Sequence, residues 1–311
     1  MLPRFINPGS VIFATRRTSE RRYFFRPDKV TNQGILYCLG LALQNCPGIR
    51  LFVAMFMSNH SHLVYEDENG EAPKFTMELN RNIAKFMNCH LKRKENVWSN
   101  DKASLPELGD SNDTIMKIVY TVLNPVKAGL VPLPTRWPGV KLLPTDIDKE
   151  IVVERPEKFF RKKNSKLPEK VTIKLCVPKD YGNTVEGKYN YLAKYKERLD
   201  SELAIIMAER KPGDRWLGVE KIKKVSPFSS PKTDSPLWRL KPNFLSAEKP
   251  KRIEMWKKWK SFQIYYRIAF DEFRNGNRDV EFPLGTYKMR LQQNVRVTLE
   301  HVIYEISPPF E

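Results

Sequence analysis

Histidine and cysteine are scarce in this 311-residue chain, four of each, and the scarcity is informative. Cys38, Cys46, Cys89 and Cys176 form no CxxC pair and keep no regular spacing, so neither a zinc ribbon nor a disulfide framework is indicated. They read as reduced core thiols. No GxxxxGK[ST] run is present, which excludes the familiar phosphate-cradling loop for a nucleotide cofactor. No stretch of about 18 apolar residues occurs, the opening MLPRFINPGS lacks the apolar centre of a secretory signal, and neither terminus carries a lipidation signal. The expectation is a soluble, cytoplasmic protein. No internal repeat or low-complexity tract is evident.

What is abundant is positive charge, a net +18 with a pI near 9.7, spread along the whole chain. A polyanion is the expected partner, with nucleic acid favoured over a membrane surface. Hydrophobic residues make up 41% of the chain, enough for a sizeable core, and the length suits two modest domains.

The first half reads as an alternation of strands and helices. SVIFATRRT, from residue 10, is a β-branched and aromatic strand running into the basic RRTSERRYFFRPD. TNQGILYCLGLALQNCPG has helical spacing and a Cys-Pro-Gly stop. IRLFVAMFM is apolar on both faces, as a covered central strand would be. HSHLVYE follows a short turn as the second arm of a hairpin. Residues 75–93 form an amphipathic packing helix. A short strand is expected within ENVWSNDKASLPELGD. SNDTIMKIVYTVLN is a helix that Pro125 should end. The order β-α-β-β-α-(β)-α predicts an α+β, ferredoxin-like antiparallel sheet with helices on one face.

Past TRWPGV the text becomes Pro-punctuated and charged. The expected division is a first domain over 1–140, an extended linker over 141–185, and a basic, mostly helical region over 186–311. In that last region Trp256, Trp259, Phe262 or Gln263, Tyr266, Phe270 and Phe273 form a helical stripe that reads as core, with Lys257, Lys258 and Lys260 beside it. DRWLGVEKIKKV has a loose helix-turn-helix flavour.

Two of the four histidines, His60 and His62, lie two residues apart in MSNHSHLVYED. Strand alternation projects both rings from one face, a geometry suited to a metal ion, with packing or surface placement as the alternative. MSNHSHLV and YTVLNPVKAGLV together resemble the single-tyrosine HUH transposases (histidine, hydrophobic residue, histidine), in particular the group associated with repetitive extragenic palindromes. The resemblance covers roughly residues 10–140. FATRRTSERRYFF is similar to the family's first strand and basic loop, ENVW to the segment after its second helix, and GNRDVEFPLGTYKMR to the end of its longer members.

The resemblance implies a metal-dependent single-stranded DNA endonuclease and strand transferase acting on hairpin or palindromic DNA. On this chain Tyr120 would be the nucleophile, forming a 5′-phosphotyrosine link. His60, His62 and Asn124 would hold Mg2+ or Mn2+. Arg16, Arg17, Arg21, Arg22 and Lys127 would contact DNA. A monomer or a homodimer would serve, at the bacterial nucleoid and without a nucleotide cofactor. Ser61 departs from the pattern, which has a bulky apolar residue between the histidines. It should point away from the ligands, into the opposite face of the sheet.

Residue by residue, alternatives stay open. Tyr120 could be an aromatic core residue, Asn124 a polar residue ending a helix, and the arginines a solvated face. For the whole chain, the alternatives are a domesticated DNA-binding protein that no longer cuts and an RNA-binding accessory protein.

Overall fold

The computed structural model describes residues 3–157, 166–233 and 242–301. Parts of the expected linker (158–165), of the Pro/Ser-rich loop after residue 225 (234–241) and the last ten residues lie outside them. The chain begins with β1 (Ser10–Arg17), α1 (Lys29–Asn45), β2 (Ile49–Phe56), β3 (His60–Asp67), α2 (Ala72–His90) and β4 (Glu107–Leu108). These form a βαββαβ unit with β3 between β2 and β1, and β4 beyond β1, all antiparallel. The α+β class and the order of elements agree with the sequence reading.

Helix α3 (Ser111–Lys127) follows, and here the expected placement of helices on one face needs correction. Alternate residues of the strands enter two separate cores. Ile12, Ala14, Leu63 and Tyr65 pack with α1 and α2, whereas Phe13, Val53, Met55 and Val64 pack with α3 on the opposite face. The two helices of the βαββαβ unit do share a face. The third covers the other, because all three central strands are apolar on both sides. On the first face α1 and α2 approach closely at Gly34, where any Cβ would run into the Phe86 ring.

A second correction concerns Pro125, which does not end α3. The helix continues to Lys127, forgoing the bond that Pro125 cannot donate to the Thr121 carbonyl. It stops where Gly129 adopts φ +67°, with Leu130 N–H donating to the Pro125 carbonyl at 3.0 Å and Gly129 N–H to that of Val126 at 2.9 Å. This pair of bonds is the Schellman ending. The AGL of NPVKAGLV is therefore a helix stop, and NPVK is its last turn.

The segment expected as an extended linker carries β5 (Lys141–Leu142), which joins the edge of β2, and the hairpin β6 (Ile151–Glu154) with β7 (Lys170–Ile173). Val153, Val171 and Ile173 of that hairpin belong to the same core as α1. Helix α4 (Val185–Ala208) lies against α3 through Tyr191 and Tyr195. The short α5 (Val219–Lys224) follows a stretch in which Leu217 and Gly218 N–H bond the carbonyls of Gly129 and Leu130.

Strand β8 (Phe244–Leu245) pairs with β4 in parallel, so the six-stranded sheet is mixed. Helix α6 (Lys249–Arg274) and α7 (Lys288–Gln293) complete the fold. Tyr266, Phe270 and Phe273 of the aromatic stripe pack around Phe282 and Met289, as core. Among the described residues no helix is long and apolar enough to cross a membrane.

Glu107 sits where the two halves meet. Its N–H bonds the Asn243 carbonyl at 3.0 Å, and its carboxylate accepts from Asn7 Nδ2 at 3.2 Å. Burial pushes this carboxyl above its ordinary range, so the fold favours the protonated form. That contribution is present below the unfolded pKa, about 4.3, and is lost as pH rises through the folded value. Glu107→Gln should therefore unfold at a higher temperature than the parent protein at pH 7, with the gain vanishing at pH 4. Equal gains at both pH values would show that this carboxyl does not titrate with folding.

Candidate active site

The register of β3 against β1 sets Thr15 opposite His62 and Arg17 opposite His60. Both imidazoles point to the α3 side, with ring centroids 4.8 Å apart and planes at 79°. His62 is 5% exposed and stacks on Phe13, centroids 5.3 Å apart and planes at 8°. Burial, with His60 and Lys117 near, pushes its pKa well below the usual histidine value. The ring is neutral at pH 7, the form that ligates metals. Its Nδ1 lies 3.0 Å from Thr15 Oγ1. In the tautomer donating to Thr15, Nε2 keeps its lone pair.

His60 Nδ1 is 2.7 Å from Asn59 Oδ1, and its Nε2 is 3.1 Å from Asn124 Oδ1 on α3. A neutral His60 that donates to Asn59 turns a nitrogen lone pair toward the amide oxygen of Asn124. Two acceptors so placed are satisfied together by a cation. Two imidazoles and an amide oxygen suit a borderline or hard divalent ion, so the residues present fit the group that the sequence reading expects. Among the described residues no three His, Cys, Asp or Glu side chains gather as a metal cluster, here or elsewhere, so the third donor beside the two histidines is the amide of Asn124.

Tyr120, one turn before Asn124, is 37% exposed. Its ring stands edge-on to Phe13 and His62, with centroids at 5.8 and 5.5 Å. The core-residue alternative for Tyr120 does not describe this placement. Two ammonium groups flank the phenol ring, Lys117 Nζ at 5.5 Å and Lys127 Nζ at 5.6 Å from its centroid. Lys127 also pairs with Glu202 of α4 at 3.6 Å. Burial lowers the pKa of Lys117, Lys127 lowers it further, and Asp113 opposes the shift.

His60, His62 and Tyr120 open on a groove of about 520 Å³ that also takes in Arg16, Arg17, Arg21, Lys102 and, from the C-terminal region, Pro242 and Leu245, while Asn124, Lys117 and Lys127 stand behind its lining. The arginines are partly engaged already. Arg16 donates to the carbonyls of Asp101 and Ser99 and lies over Trp98. Arg21 donates to Thr233 through its carbonyl and hydroxyl oxygens. Arg22, outside the groove lining, pairs with Glu20 and donates to the Phe228 carbonyl at 2.8 Å.

No family model and no curated protein matches the chain. Among solved structures it is similar to a REP-associated tyrosine transposase bound to a REP hairpin, at 16% identity over 47% of this chain and 82% of that one, with a TM-score of 0.39. It is also similar to a candidate transposase from Deinococcus radiodurans R1, at 22% identity over 30% of this chain and 75% of that one, with a TM-score of 0.26. At these identities and superpositions, function must be judged from the groove's own geometry.

Phe13, Thr15, Asn59 and Lys117 were not singled out in the sequence. Phe13 and Thr15 alternate on β1, but their meeting with His62 is fixed by pairing between strands, which one strand cannot reveal. Ser61 faces away from the groove, as expected, into a small cavity with Phe75 and Leu79 of α2. It is 3% exposed. Ser61→Val should raise stability by about 0.5–1 kcal/mol, since it puts apolar volume and a strand former among apolar neighbours. Denaturant unfolding measures this, and His62 and Tyr120 should keep their environments in NMR spectra.

Proposed function

We propose that the chain is a metal-dependent single-stranded DNA nickase and strand transferase of the single-tyrosine transposase kind. The observation that carries this reading is the convergence, within one chain, of two histidines, an amide oxygen and an exposed tyrosine in a basic groove. Tyr120 is the nucleophile. Its Oη attacks the scissile phosphorus, the Oη–P bond forms and the P–O3′ bond breaks. The phenolic proton is released and the 3′ oxygen takes one up, leaving a 5′-phosphotyrosine link and a free 3′-hydroxyl.

His60, His62 and Asn124 would hold Mg2+ or Mn2+, which when bound polarises the phosphate and eases ionisation of the nucleophile. Thr15 fixes the His62 ring, and Asn59 that of His60. Phe13 and the flanking lysines restrict where the Tyr120 ring can stand. Because the link retains a phosphodiester bond, an incoming 3′-hydroxyl can reverse the step without a nucleotide cofactor.

Hairpin or palindromic DNA as substrate, and work at the nucleoid, are carried by the likeness of MSNHSHLV and YTVLNPVKAGLV to the transposase motifs. Net charge supports a polyanion, whose affinity should fall with salt by about 0.7 log units per log unit of salt for each neutralised single-strand phosphate. Both halves of the site lie on one chain, which supports cleavage by a monomer as well as by a homodimer.

Incubating the protein with end-labelled single-stranded hairpins should yield a denaturant-resistant adduct in Mg2+ or Mn2+, and none in chelator. Tyr120→Phe should abolish the adduct while hairpin affinity stays within about threefold, a loss of under 1 kcal/mol. Tight binding by the parent protein without adduct in either metal would favour the non-cleaving alternative.

A further inference from the structure

Lys117 lies three residues before Tyr120, on the same face of α3. Its Nζ is 5.5 Å from the Tyr120 ring centroid and 5.6 Å from that of Phe13, and it is near enough to His62 to influence that ring's charge. Of the neighbouring cations, Lys127 has Glu202, Arg16, Arg21 and Arg22 have backbone carbonyls, and Lys102 of the groove lining is exposed to solvent, whereas Lys117 is half-buried. The Lys117 ammonium makes no ion pair and no hydrogen bond among those found between the described residues; outside the helix ladder, it is the backbone carbonyl of Lys117 that is engaged, by Thr121 Oγ1 at 2.7 Å. The nearest carboxylate along the helix, Asp113, is 4% exposed and accepts from the Ala247 N–H at 2.8 Å.

An ammonium taken partly out of water without a partner is costly. Its position beside the nucleophile gives it a use that offsets the cost. We propose that Lys117 contacts a non-bridging oxygen of the scissile phosphate from the tyrosine side of the groove, separately from His60, His62 and Asn124. This assignment rests on the strand-transfer reading and makes Lys117 a catalytic residue of that reaction.

The chemistry is that of charge growth. As Oη–P forms and P–O3′ breaks, the proton leaving the phenol and the one gained by the 3′ oxygen balance, and nothing is oxidised or reduced. In between, negative charge rises on the phosphoryl oxygens. A fixed cation there acts more on the transition state than on bound DNA. Its loss should appear in the rate at saturation rather than in the half-saturation concentration.

The test is single-turnover adduct formation by the full chain, in Mn2+, across concentrations of one single-stranded hairpin. K117Q removes the charge while keeping a polar side chain one atom shorter, and thermal unfolding checks its fold. Its saturating rate should fall about 100-fold, the loss seen when one preorganised donor is removed, with half-saturation within about threefold. K117R should recover most of the rate, and a lysine that only packs α3 would show no such dependence on charge. On DNA whose mapped scissile linkage carries a neutral methylphosphonate, the parent protein and K117Q should react at rates within about threefold of each other.

Adduct formation by K117Q at the parent rate would overturn the assignment alone, as would a loss confined to half-saturation or an undiminished difference on the neutral linkage. No adduct from the parent protein in either metal would overturn the strand-transfer reading and this assignment together.

Discussion

The pairing register of β3 between β1 and β2 is the constraint on which the rest of the molecule depends. With Thr15 opposite His62 and Phe56 opposite Ser61, the residues at 61, 63 and 65 face α1 and α2, and those at 60, 62 and 64 face α3. A slip of one position would exchange the two sets. Leu63 and Tyr65 would enter the groove, and both histidines would be buried under α2. Apolar packing on both faces opposes such a slip, because each face has its own core. The same burial that stabilises the sheet therefore aims the imidazoles.

Where this logic is local, the sequence discloses it. The His60/His62 spacing announces a shared face, and the periods of 2 and 3.6 mark the strands and helices of the first half. Where it is not local, the sequence is silent or misleading. A proline near the end of a helical run reads as a stop, yet Pro125 lies in the last turn and Gly129 makes the stop, because one forgone bond is offset by packing of Val122, Leu123 and Val126. The covering of both sheet faces followed from strands apolar on both sides, though residue order alone suggested one. The β4–β8 pair joins Glu107 and Leu108 to residues 244 and 245, a contact across more than a hundred positions between two-residue strands, too short to have any pattern.

Net charge was a second signal that needed the fold to be interpreted. The arginines of the RRTSERR run would each count equally toward DNA binding if read from composition. In the structure they are unequal. Arg21 and Arg22 meet carbonyls of the 226–233 segment, Tyr23 N–H bonds the Ser229 carbonyl at 2.9 Å, and Arg16 is tied to the loop after Trp98. Some of the basic loop's charge thus fastens the chain's two halves together. A guanidinium held by carbonyls keeps its full charge while losing rotamer freedom, so it can still draw a phosphate at long range. What it gives up is free choice of donor direction, which sharpens where a backbone could lie.

Placing the proposed nucleophile and the proposed ligands on a strand and a helix imposes a demand for rigidity that the fold meets in a specific way. His60 and His62 come from a strand paired on both sides, and Tyr120 and Asn124 from one helix whose two ends are defined. Asp110 caps its start by accepting from Asp113 N–H at 2.8 Å, and Gly129 fixes its end. Asp113 is itself tied to residue 247, and Lys127 to α4. The orientation of α3 relative to the sheet is therefore secured by its apolar face and by polar ties at both ends. A site that must bring a phenol and three ligands to one phosphate tolerates displacements well under an ångström. In this chain the position of α3 is held by the C-terminal region as much as by the βαββαβ unit, so on the proposed reading the later residues help to hold the site even where they contribute no reacting atom.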